Sequence, residues 1–315
     1  MDVKNNIAFA LILLIVLAPI TVFAKPTQNE YIKPFILSQY VSGTELVKHS
    51  KQIRNALIRA GFEIVGEYSP YPESKIYIIT NSYLKKVAAK SEHGGFGAVL
   101  KVSLVSTAKG IQVSYNNPAY IGLAYNLDSK LQPVQEALKN SIGFKQEFGG
   151  GAGIKEKDLP GYNYTFGLEG FDGYMELAEF RSYEDAVKKV KKGLEQSKFG
   201  IKQIYRVDIP GKKQSVIGVG MMASPKKQPF LNDAYVMNVI DHTALKRLPH
   251  LPYEILIVDN KVITLHPHFR LAINFPEMRM FGANSFGKLM DLPYIYEEFL
   301  IKSIGGDWPP PNQDW

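Results

Sequence analysis

The 315-residue chain states one pattern twice, and this constrains its fold more than any other feature. A Ser-x-x-acid helix start stands at Ser42–Glu45 and again at Ser182–Asp185. The helix that each opens closes on a similar phrase: Leu57, Gly61, Phe62, Ile64 and Tyr68 against Leu194, Phe199, Ile201 and Tyr205. A β segment ending near a proline follows in both, Val113–Pro118 and Val262–Pro267. Both copies close on Ser-Ile-Gly, at Ser141–Gly143 and Ser303–Gly305. The offsets of 140, 137, 149 and 162 residues keep their order and mostly grow, as two copies with unequal loops require. A period this long predicts two domains rather than a solenoid of small repeats.

The N-terminus reads as an export signal. Ile7–Ala18 is a twelve-residue apolar run, short for a membrane-spanning helix, and Pro19 breaks it. Val22-Phe23-Ala24 presents the small-residue pattern of a cleavage site, so residues 1–24 are expected to be removed before Lys25. The rival reading is an uncleaved anchor from Ile7 to Ala24. Cleavage places the mature chain in the periplasm or outside the cell, without stable membrane insertion. The sequence has no cysteine, which excludes disulfides, thiol nucleophiles and thiolate metal sites. Its net charge of +7 divides almost evenly, with +6 over 31–144 and +5 over 173–306. The densest basic run, Lys188, Lys189, Lys191 and Lys192, lies opposite Ala186, Val187, Val190 and Leu194. That is the wet face of an amphipathic helix, so no nucleic-acid partner is expected.

In the first copy, Tyr31–Val41 reads as β, and Ser42 with Glu45 forms a capping box for the next helix. Gly61 ends that helix. Phe62–Tyr68, Lys75–Thr80, Ala98–Ser106 and Ile111–Tyr115 follow as strands, the last two joined by a Lys109-Gly110 turn. Tyr120–Tyr125 and Val134–Ile142 look helical. The second copy repeats the order: strand Tyr174–Phe180, helix Tyr183–Lys198, strands Ile201–Ile209, Gln214–Met221, Tyr253–Val258 and Lys261–Leu265, and helix Pro293–Ser303. The predicted class is α+β, two tandem two-layer units with antiparallel or mixed sheets, over 31–144 and 173–306. The two are expected to cover each other as a pseudo-twofold dimer within one monomeric chain. The stretch 145–172 reads as a linker, flexible at Gly149–Gly151 and Gly153 and packed down in its second half through Tyr162, Tyr164, Phe166 and Phe171, and 307–315 as a Pro-rich tail.

Lys109–Ile121, KGIQVSYNNPAYI, resembles the most regular motif of the domain-of-unknown-function 302 family, roughly G-K-V-x-V-S-Y-N-x-P-x-Y-[LI]. Leu251–Val258, LPYEILIV, is similar to that family's L-P-x-x-[IVL]-L-V-x run, and Ser215–Gly220 precedes it through a Pro-bearing loop. The second copy departs from the motif at Val262–Phe269, VITLHPHF, which lacks the Ser-Tyr-Asn. The resemblance implies a two-layer α+β fold, sometimes in tandem, a tendency to dimerise, and no established reaction.

Few residues point to chemistry. His266 and His268 are i, i+2 and would share one side of a strand, a spacing suited to Zn²⁺ or Cu²⁺, with Met278 and Met280 following. Pro267 between them, and Asn117 and Ala119 at the matching positions, argue against a metal, so neither metal nor cofactor is assigned. His93 lies in a Gly-rich loop, Asp241 and His242 are adjacent, and Glu176 and Glu179 would face opposite ways on a strand. Tyr115, Asn116 and Asn117 end a strand at Pro118, where amides and a phenol could read a polar ligand or satisfy a backbone corner. The expected ligand-binding residues are therefore Tyr115, Asn116, Asn117, His266 and His268. Two functions fit. One is an exported, non-catalytic module binding a small polar ligand or an envelope protein at the seam between copies. The other is an enzyme built on loop polar groups, metal-assisted through His266 and His268.

Overall fold

The computed structural model describes residues 30–164 and 169–309, and the expected signal at 1–24 lies outside them, as does the end of the tail. The fold is α+β. After the short strand β1 (Tyr31–Ile32), the first half runs β2 (Phe35–Val41), α1 (Leu46–Arg59), β3 (Glu63–Tyr68), β4 (Ser74–Thr80), α2 (Ser82–Ala88), β5 (Leu100–Thr107), β6 (Gly110–Asn116), α3 (Pro118–Ala124) and α4 (Gln132–Ile142). Strands β7 (Gln146–Phe148) and β8 (Ile154–Lys155) follow. The second half runs β9 (Met175–Glu179), α5 (Tyr183–Glu195), β10 (Ile201–Asp208), β11 (Gln214–Met221), α6 (Asp233–Ile240), β12 (Tyr253–Val258), β13 (Lys261–Thr264), α7 (Pro267–Asn274) and α8 (Leu292–Ile304). From β2 to α4 and from β9 to α8 the order of elements is the same.

The strand order matches as well. One sheet reads β3-β4-β5-β6-β2-β7 and the other β10-β11-β12-β13-β9, all pairs antiparallel. Each sheet opens on a strand with a register shift at the same place, between Ile64 and Gly66 in β3 and between Gln203 and Tyr205 in β10. Rows drawn across each sheet from that shift are Gly66–Ile78–Lys101 and Tyr205–Gly218–Glu254. Helices α1 and α4 pack on the first sheet, and α5 and α8 on the second. Their buried residues recur at helical spacing: Ile53 and Leu57 in α1, Ala186, Val190 and Leu194 in α5.

The two sheets meet where β3 runs beside β10. At Gly66 a Cβ would stand 2.8 Å from the Tyr205 Cβ and 3.0 Å from the Ile204 carbonyl oxygen, so the approach requires glycine. Each half also covers the other. The turn Gly94–Gly97 lies on β11 and β12, and the turn Leu248–His250 lies on β5 and β6. Two glutamines hold these turns. Gln214 accepts from the Gly95 amide at 2.9 Å and donates to the Glu92 carbonyl at 2.6 Å. Gln112 donates to the Lys246 carbonyl at 2.7 Å and accepts from its amide at 2.9 Å. Each amide side chain thus satisfies a donor and an acceptor of a buried loop belonging to the opposite half.

Several sequence expectations change. Ser182 caps α5, accepting from the Asp185 amide at 3.2 Å, but Ser42 does not cap α1. Gly43, at φ +102°, turns the chain after Ser42, and the helix begins only at Leu46 with Glu45 in the cap position. The stretch read as a flexible linker is built into the fold. Its β7 extends the first sheet alongside β2, and β8 pairs with β1. Gly149, Gly150, Gly151 and Gly153 take φ between +56° and +94° in the turn between β7 and β8, a conformation that glycine adopts without steric cost. Helices α2, α6 and α7 are additional, the first two each capped by an asparagine (Asn81, Asn232). No helix among the described residues is long and apolar enough to cross a membrane.

Candidate functional site

Tyr115, Asn116 and Asn117 sit at the end of β6, and all three are buried. The Tyr115 hydroxyl donates to the Gly143 carbonyl at 3.1 Å, and burial pushes its phenol well above the ordinary range. Asn116 accepts from the Lys101 amide at 2.8 Å and donates to the Pro249 carbonyl at 3.0 Å, which ties the first half to the turn that covers it. Asn117 donates to the Lys33 carbonyl at 2.9 Å. Backbone groups therefore occupy the polar atoms that were expected to read a ligand, apart from Asn117 Oδ1, which is buried without a partner. The chain at this corner spends its amides on its own main chain, as a strand-to-helix turn requires.

The matching corner of the second half differs. His266 and His268 do not share a strand, because β13 ends at Thr264. Pro267 opens α7 instead of spoiling the pair: it takes the first helical position, where a missing N–H costs nothing. His266 is the N-cap, its Nδ1 accepting from the His268 amide at 3.3 Å, and the two rings lie 5.0 Å apart, edge to face. Neither is a surface loop histidine. His268 is 6% exposed, and its ring stands 5.7 Å from Phe286.

Glu169, which the sequence reading passed over, completes this corner. It enters from the segment between the halves, with Oε2 3.2 Å from His266 Nδ1. One ligand atom from each of Glu169, His266 and His268 falls within 4.8 Å of the others, and no other set of three His, Asp or Glu converges this way among the described residues. Burial pushes the His266 imidazole down to about 4, with Glu169 opposing and His268 adding to the fall. Burial lowers His268 too, again against Glu169. Burial therefore favours the neutral form of both rings. Glu169 Oε2 and His268 Nε2 are buried without a hydrogen-bond partner.

A second polar cluster lies inside the seam. Lys101 of the first half forms an ion pair with Glu254 of the second, their side chains 4% and 0% exposed. Arg270 Nη2 is 3.3 Å from the other oxygen of Glu254, and the Tyr205 hydroxyl donates to Glu254 at 3.0 Å. Burial pushes the Lys101 ammonium down, against the pull of Glu254. Beside it the Tyr68 hydroxyl donates to Asp233 at 2.6 Å across the same seam. These groups pair with one another across the seam, although Glu254 Oε2, Arg270 Nε and Nη1 and Asp233 Oδ1 are buried without a hydrogen-bond partner.

The remaining candidates have structural surroundings. His93 packs edge-on to Tyr174 at 4.7 Å and precedes the turn that covers the second sheet. Asp241 binds Arg247, Glu176 pairs with Lys261, and Glu179 accepts from Asn260. Met278 is part of the core, and Met280 packs against it. Comparison with protein-family models, curated proteins and solved structures finds no match to this chain.

Proposed function

We propose that the chain is an exported, non-catalytic binding protein made from a duplicated α+β unit, a divergent tandem relative of the domain-of-unknown-function 302 family. The apolar run at 7–18 supports export, and the shared element and strand order of the two halves supports duplication. The ligand site is the Glu169–His266–His268 corner rather than the Tyr115–Asn117 corner. One observation carries this reading: electron-pair donors converge there, and two of them are buried with nothing donating to them. Leaving such a group unpaired costs about 1–3 kcal/mol, so the corner favours a ligand that brings positive charge. Binding fits better than catalysis, because the charged groups acting on the two imidazoles are Glu169 and the rings themselves. Among the described residues, no other His, Asp or Glu converges on this corner once these three are engaged.

The test is a thermal-shift series on the purified protein with Zn²⁺, a diamine, a neutral sugar and a dicarboxylate, repeated on Glu169→Gln. A shift from a cationic compound that disappears in the variant is the expected result. A shift confined to the neutral or anionic compounds and indifferent to the variant would overturn the reading.

A further inference from the structure

Resting on that choice of corner, we propose that Glu169, His266 and His268 form a binding site for one divalent transition-metal ion of the Zn²⁺–Cu²⁺ class, with a fourth position left for water or an external donor. The donor set selects the metal. Two imidazole nitrogens and one carboxylate oxygen suit Zn²⁺ and Cu²⁺, whereas Ca²⁺ and Mg²⁺ need six or more oxygens. Three protein ligands also leave a tetrahedral ion one position short.

The geometry is close to what such an ion requires. Tetrahedral Zn²⁺ holds its ligand atoms about 3.3 Å apart, as follows from bonds of about 2.0–2.1 Å. Here the three atoms lie within 4.8 Å, and His266 Nδ1 and Glu169 Oε2 already stand at 3.2 Å. The His266 contact has its own logic. Its Nδ1 stands 3.3 Å from the His268 amide nitrogen and 3.2 Å from Glu169 Oε2. A ring nitrogen has one lone pair, so Nδ1 meets a cation shared with Glu169 by giving up the His268 amide. His268 Nε2 is left buried and unpartnered.

One term opposes the ion. The corner lies at the N-terminus of α7, where the helix dipole disfavours a cation. Coordination by three protein ligands outweighs this single dipole effect. The first half has Asn117 and Ala119 at the matching positions, which sets the stoichiometry at one ion per chain.

Isothermal titration of chelator-treated protein with Zn²⁺, Cu²⁺ and Mg²⁺ tests the site, and Co²⁺ absorption reports its coordination number. One equivalent of Zn²⁺ or Cu²⁺ should bind and Mg²⁺ should not. Glu169→Gln should weaken binding by at least about tenfold, and His268→Asn should abolish it. Should His268→Asn fail to fold, the partly exposed Glu169→Gln keeps the test intact. Absence of Zn²⁺ and Cu²⁺ binding, or binding equal in wild type and variants, would overturn the metal. If the diamine shift of the wild type is nevertheless lost in Glu169→Gln, the corner still binds cations and only the metal assignment falls. If neither ion nor diamine depends on Glu169, both fall.

Discussion

Glu254→Gln preserves the shape of the seam and removes the anion that Lys101 and Arg270 both contact. The two cations stand on opposite oxygens of one carboxylate, which puts them on the order of 6 Å apart. At an effective dielectric of about 20 their repulsion is about 3 kcal/mol, and the lost attractions add to it. Removing one partner of a buried pair costs about 3–5 kcal/mol, and Glu254→Gln should fall at the upper end. Lys101→Met is different. It leaves Glu254 with Arg270 and Tyr205, keeps most of the buried methylene volume, and should change stability by no more than about 1 kcal/mol in either direction. The double variant should be more stable than Glu254→Gln alone, because the repulsion is gone. Urea denaturation followed by far-ultraviolet circular dichroism measures all four proteins, with equal slopes confirming comparable unfolding. Lys101 in the Glu254→Gln protein can escape by losing its proton, so its penalty should shrink as the pH rises toward 10. The reasoning is refuted if the two single variants cost the same, or if their effects simply add in the double variant.

Two further outcomes are expected. Burial raises Asp233 from 3.8 to about 6 in the folded protein, so the native state holds a proton there that the unfolded chain has released. The native state binds more protons between these values, and stability therefore falls as the pH rises through them, by about 3 kcal/mol in total. Asp233→Asn should remove this component. A wild-type-minus-variant stability difference that stays flat between pH 4 and 7 would contradict it. Asn116→Ala should cost about 2 kcal/mol in chemical denaturation, because it strands the Lys101 amide and the Pro249 carbonyl. A negligible loss would place that amide facing solvent after all.

Much of the architecture was legible because it is written in local chemistry. The strands Gln214–Met221 and Tyr253–Val258 have the same bounds in sequence and structure, since mostly apolar runs there end at turns. Gly110, at φ +101°, makes the expected hairpin turn, and Ser182 makes the expected cap. Helices α2 and α6 escaped because they are too short to set a helical period, and α7 because every one of its residues is buried, leaving no polar face. The Gly-rich stretch misled because the same residue serves a flexible chain and a tight wedge. The site was half legible. His266 and His268 stood out by spacing, but Glu169 lies far away in sequence inside a segment with no regular period. Only tertiary folding brings it to them. Lys101 and Glu254 did leave a signal that was not used: each is a charge set inside an otherwise apolar strand.

Those two residues occupy the same place in their respective sheets, third in a row that starts beside the register shift, yet they carry opposite charge. Were either half to associate with a copy of itself through this surface, Lys101 would meet Lys101, or Glu254 would meet Glu254. Burial would penalise both encounters severely. The surface is therefore self-rejecting and cross-accepting. Joining the halves in one polypeptide guarantees that Lys101 and Glu254 are present in equal number, one partner for each charge.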